Sequence, residues 1–225
     1  SETKANEEYA QFKEKLLNEG LGILDKEHVT LFYELAKERK DTTAILRIAK
    51  YYYDQMEYQR MDSILLEGYK LGSIKCLNNL ANYYSIQSLP NGMNNPLLNT
   101  QKAEICAKEL MQYDKGAAYS IMGLLHSENK EYKIAIYYWE KGSQYNNTNC
   151  LGNLGWAYEN GEGCSVDYNK SFNYFSKAYA IDKEDEYAAY HLGLHYLYGM
   201  SVPININKAK EFLKIAADLG SDAAK

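Results

Sequence analysis

The chain has 225 residues and a net charge of -5, with 25 lysines and arginines against 30 aspartates and glutamates. This mildly acidic balance, with both signs interspersed, argues against a general nucleic-acid binder, which would present a basic face. No apolar run approaches the roughly 18 residues that span a bilayer, and the opening SETKANEEYAQFKEK has no apolar signal core, although a leader cleaved earlier would leave the same start.

Helical periodicity runs along the whole chain, and no stretch alternates like a strand. EEYAQFKEKLLNEG and KEHVTLFYELAKERK predict helices over 5–19 and 26–39. The run TAILRIAKYYYDQMEYQRMDSILLEGYKLG predicts a second pair, 42–54 and 57–71. A third pair, 73–86 and 100–113, is split by SIQSLPNGMNNPLLN (85–99), an enlarged inner loop with two of the three prolines. That loop is either a recognition feature or a plain insertion. The remaining pairs are 116–127 with 131–145, 148–160 with 168–181, and 185–198 with 206–219. In the last pair Ala189, Leu192, Gly193 and Tyr196 share one helical stripe, and Ala209, Phe212, Leu213 and Ala216 share another. Gly199 and Pro203 separate the two. The 23 tyrosines against 5 phenylalanines suit thin layers in which ring bodies are buried and hydroxyls reach water.

The pairs repeat one another. LGWAYENGEGCSVDYNKSFNYFSKAY (154–179) lies over LGLHYLYGMSVPININKAKEFLKIAA (192–217) with a constant offset of 38 residues. Gly155 then matches Gly193, Gly161 matches Gly199, Lys170 matches Lys208 and Ala178 matches Ala216. CLNNLANYY (76–84) matches CLGNLGWAY (150–158), and looser copies fill 43–72 and 117–146. One such helical hairpin cannot bury its own apolar face, whereas a stack of them can.

These residues resemble the Sel-one-like repeat, a relative of the tetratricopeptide repeat, with the pattern A-x-x-L-G-x-x-Y-x-x-G-x-G-V-x-x-D-x-x-K-A-x-x-Y-x-x-A-A-x-x-G. Ala189 to Gly220 follows it closely, departing at Ser201 in place of the second loop glycine and at Asn205 in place of the aspartate. Leu151 to Asp182 keeps Gly161, Gly163 and Asp167. The units before residue 150 drop the G-x-G loop and look intermediate between the two repeat types. The resemblance implies an all-α fold, a right-handed α/α superhelical solenoid of about six helix pairs. It implies a single repeat domain over 1–225, with approximate repeats 5–40, 42–72, 73–114, 116–146, 148–182 and 185–220. The terminal LGSDAAK reads as the first turn of another unit, hence an excerpt of a longer array.

Within that frame the glycines of LGNLGWAYENGEG (151–163) are not a phosphate loop, because no strand precedes them. Gly155 falls mid-helix, where a side chain would meet the partner helix, and Gly161 and Gly163 fall at the helix end, where positive φ is needed. Cys76, Cys106, Cys150 and Cys164 form no C-x-x-C pair, so the reading expects free thiols in the cytoplasm or another reducing compartment. A cysteine-rich branch of the family bridges its hairpins by disulfides, but Cys76 opens its helix and Cys106 is mid-helix. His191 and His195, in HLGLH, have zinc-compatible i, i+4 spacing but no following glutamate and no evident third ligand. One is expected on the solvent or groove side and the other against the stack. No cofactor, metal or catalytic residue is assigned, and His126 and the serines show no triad signature. Trp139, in YYWEKG, is expected in the core.

First helices line the concave face in tetratricopeptide-like arrays. Positions flanking each L-G pair, and one turn further on, should therefore face a groove. They are Arg47, Lys50 and Tyr53; Asn78, Asn79 and Asn82; Ile121 and Leu124; Asn153 and Trp156; His191, Leu194 and Leu197. Asparagine amides donate and accept, so they can hold a peptide backbone without reading its side chains. Trp156 would be the apolar anchor, and Arg47 and Lys50 would draw an acidic segment. The function this implies is a non-enzymatic scaffold or adaptor binding a protein or peptide in the concave groove, without nucleic acid or membrane. The alternatives are assembly, with self-association through the repeat ends, and a hydrolase using His191 and His195.

Overall fold

The computed structural model describes residues 2–19, 26–89 and 92–224. Twelve α-helices occupy them, with one isolated bridge from Ser88 to Asn94 as the extended pairing among the described residues. The chain divides into two compact units, Ser1–Cys106 and Ala107–Lys225. The first holds α1 (Glu2–Glu19), α2 (Lys26–Glu38), α3 (Thr42–Asp54), α4 (Tyr58–Lys70), α5 (Ile74–Ser85) and the start of α6 (Thr100–Leu110). The second holds the end of α6, α7 (Lys115–Glu128), α8 (Tyr132–Ser143), α9 (Thr148–Asn160), α10 (Tyr168–Ile181), α11 (Glu186–Tyr198) and α12 (Ile206–Asp218). Every helix expected from periodicity is present, with ends within three residues of the expected ones. α6 stops early because the chain turns through Met111–Tyr113 so that Asp114 can cap α7.

In each unit a helix packs on its hairpin partner, and the second helix of a pair packs on the first helix of the next. That stacking order is the all-α repeat solenoid. Most of the helices begin where a short polar side chain accepts the backbone N–H three residues on, α4 and α8 being without such a bond. Asp41, Ser73, Asn147, Asp167, Asp185 and Asn205 do this for α3, α5, α9, α10, α11 and α12. Asn205, standing where the repeat pattern has aspartate, therefore makes the same cap as Asp167, with Lys208 N–H at 3.0 Å.

A cation over a ring closes four of the hairpins. The Arg60 guanidinium lies 4.9 Å from the Tyr52 ring, and Lys102 lies 5.0 Å from that of Tyr84. Lys170 and Lys208 lie 4.7 and 4.9 Å from the rings of Tyr158 and Tyr196. Each latch joins the end of a first helix to the start of a second, whatever the loop length between them. The tyrosine-rich composition thus has a specific use, the ring sealing the hairpin. Tyr52 and Tyr84 are themselves buried, the Tyr84 hydroxyl donating to Asp62 while that of Tyr52 is buried without a partner among the described residues. The α7–α8 pair departs, with His126 stacked on Tyr138 at 5.3 Å and hydrogen-bonded to Glu131 at 2.6 Å.

Two turn types join the hairpins. The longer turns after α9 and α11 open with Gly161 and Gly199 at φ of 74° and 66°, where glycine carries no steric penalty. The short turns after α3 and α7 put Met56 and Lys130 into the same left-handed region, at φ of 60° and 62°. A left-handed residue with a Cβ costs about 1–2 kcal/mol, and Met56 is 60% exposed with no packing to offset it. Met56→Gly is expected to stabilise the chain by about 0.5–1 kcal/mol after the added unfolded-state entropy, read as a higher midpoint in urea.

The long inner loop folds back on α5. Asn95, 7% exposed, donates from its amide to the carbonyls of Tyr83 and Ile86 and accepts the Leu97 N–H at 2.9 Å. Leu89 and Leu97 are buried, and the Asn99 side chain accepts Lys102 N–H at the start of α6. Pro90 lies outside the described residues. All four cysteines are free thiols. Cys76 and Cys150 are fully buried, each sulfur lying against a glycine of the preceding helix, Gly68 and Gly142.

Candidate functional site

A pocket of about 370 Å³ opens in the first unit between α3 and α5, with α4 as its floor. Leu46, Ala49 and Tyr53 come from α3, and Met61 and Leu65 from α4. Tyr83 and Ile86 close it from α5 and the residue after it, and the two polar contributions are Lys50 and Asn79. The Tyr53 and Tyr83 rings meet at 5.4 Å between centroids. Burial, with Tyr53 and Asp54 beside it, pushes the Tyr83 hydroxyl up to about 12, so it is a neutral phenol at neutral pH.

The polar residues expected on this face divide by what the fold does with them. Arg47, Lys50 and Asn79 are exposed, and Lys50 makes an i, i+4 ion pair with Asp54 at 3.1 Å. Asn79 has no internal partner among the described residues. Asn78 and Asn82 are half-buried, and Asn82 donates to the Asn78 carbonyl at 2.9 Å and to its side-chain oxygen at 3.2 Å. Their amides are therefore largely engaged with one another. Met61 and Leu65 escaped the sequence reading because the floor of the pocket belongs to the neighbouring second helix, and Tyr83, on α5, lies one residue past the stripe read there.

On α9, Asn153 is half-buried, and Trp156 is half-buried against the core cluster of Leu151, Phe175 and Leu192. Leu124, Leu194 and Leu197 are likewise half-buried. Trp139 is 3% exposed, as expected of a core residue. Two expected groove positions face inward instead. Ile121 is fully buried, since α7 packs on α8 and α9 and turns that stripe into the core. His191 is 7% exposed and stacks on Phe175 at 4.4 Å with the rings 8° apart.

The histidines belong to a buried polar cluster, and the expectation that one would face solvent or groove is corrected: His195 is also fully buried. Glu159, at the end of α9, ties them to the preceding pair. Its carboxylate accepts from His191 Nδ1 at 3.1 and 3.2 Å and from His195 Nε2 at 3.2 Å. Ser171 of α10 donates to it at 3.4 Å. The other His195 nitrogen, Nδ1, meets the Ser201 hydroxyl at 2.9 Å. With Nε2 directed at Glu159 and the Ser171 hydroxyl, and Nδ1 at Ser201, the His195 ring has a partner at both nitrogens. Burial alone would raise the Glu159 carboxyl, but the hydrogen bonds it receives from His191 and His195 hold it at about 2. No group of three metal-ligating side chains converges among the described residues. Ser201, His195 and Glu159 do form a hydroxyl–imidazole–carboxylate chain, but its imidazole is sealed inside the stack.

Glu159 carries no sequence signal of its own, since its partners lie 32 and 36 residues further along. Ser201 had been marked as a departure from the repeat pattern, and its hydroxyl is what satisfies His195.

Comparison with known proteins agrees with this architecture. The Sel1 repeat family model matches residues 149–181 and 186–221, the α9–α10 and α11–α12 pairs. No curated protein matches the chain in sequence. Among solved structures, the chain is similar to a Sel1 repeat protein from Oxalobacter formigenes, with 18% identity, a TM-score of 0.55, and coverage of 80% of this chain and 71% of that one. It is similar to an SLR-fold protective antigen of uropathogenic Escherichia coli, with 16% identity and a TM-score of 0.55. That match covers 98% of this chain and 47% of the antigen, so the chain spans under half its length. A Pseudomonas aeruginosa protein matches at 20% identity and a TM-score of 0.55, covering 92% of this chain and 71% of that one. The α9–α10 and α11–α12 pairs are thus matched as Sel1 repeats, and the stacked hairpins before them share the all-α repeat fold of these solved structures.

Proposed function

We propose that the chain is a non-enzymatic protein-interaction scaffold, its six helix pairs acting as one repeat domain that takes an extended segment of a partner along its first helices. Sel1 repeats, like their tetratricopeptide relatives, are suited to protein–protein interaction, because stacked hairpins present a long surface from a rigid frame. The observation that carries the finer reading is the α3–α5 pocket, apolar within and rimmed by Lys50 and Asn79. A pocket of this size suits one large side chain with its flanking backbone. Asn153 and Trp156, on a first helix of the second unit, would offer a contact of their own.

The serine, histidine and carboxylate groups favour a scaffold over a hydrolase. His195 and Ser171 are fully buried and Glu159 nearly so, with each polar atom spent on another. A general base must reach its substrate, whereas a buried and satisfied network rigidifies the packing around it.

Photo-crosslinking residues at Asn79 and Asn153 test this reading, with Gln59 and Lys177, exposed on second helices, as controls. In lysate of the source cells, adducts to one protein are expected from the first two positions and not from the controls. Adducts from Gln59 or Lys177 alone would move the binding face to the second helices. Adducts to the chain itself would favour assembly.

A further inference from the structure

We infer that the α3–α5 pocket selects an acidic segment, one bulky apolar side chain flanked by aspartate or glutamate, an inference that rests on the groove reading above. The charge distribution points to it. The chain carries -5 overall, yet α3 and α5 together hold Arg47, Lys50 and Lys75 against one carboxylate, Asp54. The carboxylates around the pocket are already engaged. Asp54 pairs with Lys50 at 3.1 Å, Glu57 with Lys26 at 2.9 Å, and Glu67 with Lys70 at 3.3 Å, while Asp62 accepts from the Tyr84 hydroxyl. Arg47 and Lys75 have no ion-pair partner among the described residues, and Arg47 sits one turn before Lys50 on the same stripe. Among the other first helices, α9 and α11 carry no lysine or arginine, α7 carries only Lys115, and α1 outweighs its lysines with glutamates, whereas α3 sets Arg47 and Lys50 on one stripe beside the pocket.

The parts divide the work. The apolar walls and the Tyr53–Tyr83 ring pair take the bulky side chain. Asn79, exposed and uncommitted, can accept from and donate to the segment's backbone. Lys50 and Asp54 are 74% and 51% exposed, and a pair so wetted holds weakly. A ligand carboxylate can therefore recruit Lys50, with Arg47 beside it supplying a second, bidentate contact.

A display library of random linear peptides, selected on the whole chain, tests the inference. The enriched peptides are expected to centre on leucine, methionine or phenylalanine with an excess of aspartate and glutamate around it. A synthetic peptide from that set should lose roughly tenfold or more in affinity to Arg47→Glu with Lys50→Glu, and weaken with added salt. Asn79→Trp, at an exposed helical position, should block the pocket, and circular dichroism would confirm that each variant stays helical. Enriched peptides without acidic excess, or binding indifferent to the double reversal, would overturn the acidic preference. If Asn79→Trp still abolished that binding, the groove reading would stand without it. Selected peptides that bind Asn79→Trp as well as the native chain, or a selection that enriches nothing, would overturn both.

Discussion

Phe175→Ala is expected to destabilise the second unit by about 3–5 kcal/mol, the range for emptying a buried phenylalanine site. The ring is fully buried and holds two pairs together. It fills the space left by Gly155 of α9, where an added Cβ would come within 2.8 Å of it. It also stacks on His191 at 4.4 Å and meets Tyr187 edge-on at 5.8 Å, both in α11. The site can collapse little, because its neighbours are a helix backbone on one side and hydrogen-bonded imidazole on the other. In a repeat stack, losing one interface releases what lies beyond it. Hydrogen exchange should therefore show α11 and α12 losing protection before α7 and α8. Uniform loss of protection from α7 to α12, or a penalty under about 1 kcal/mol, would show that Phe175 is not the joint described here.

The second large effect is that of Glu159→Gln, and it depends on pH. The folded carboxyl titrates at about 2 against an ordinary 4.5. A depressed value means the folded state favours the charged form. The stabilisation is thus present above the ordinary value and fades as pH falls from about 5 toward 2. A shift of this size corresponds to about 3 kcal/mol, and Glu159 is only 13% exposed, so water screens it little. At neutral pH the glutamine variant should lose about 2–3 kcal/mol, because its amide can accept from only one oxygen and leaves a buried imidazole donor unpaired. Near pH 2 the two proteins should converge. Thermal midpoints measured from pH 7 to pH 2 decide it, and a difference that stays constant across that range would refute the carboxylate as its source.

Much of the fold was legible because repetition amplifies weak signals. A single Lys170 or Tyr158 means little, but their recurrence at Lys208 and Tyr196, 38 residues on, marks one hairpin plan, and each lysine lies over its tyrosine ring. The caps at Asp167 and Asn205, read from the sequence only as a kept and a changed position of the repeat, are local bonds made three residues away. Gly161 announced its own turn for the same reason. The surface was legible only in part. Arg47, Lys50 and Asn79 came out exposed, as polar residues on an amphipathic helix should. His191 and Ile121 did not, because α7 and α11 are apolar on nearly every side and periodicity cannot say which stripe a neighbour will cover.

By itself, then, the sequence determined the helices, their caps, the turn types and the pairing of neighbours, all set by bonds or contacts a few residues long or by a period repeated along the chain. Only the tertiary structure decided which side chains from different hairpins meet. It put Met61 and Leu65 of α4 beneath Lys50 and Asn79 to make a pocket, and brought Glu159 to His191 and His195 across 32 and 36 residues. Such meetings depend on the register of one hairpin against the next, which is set by the summed packing of the whole interface and by no residue alone.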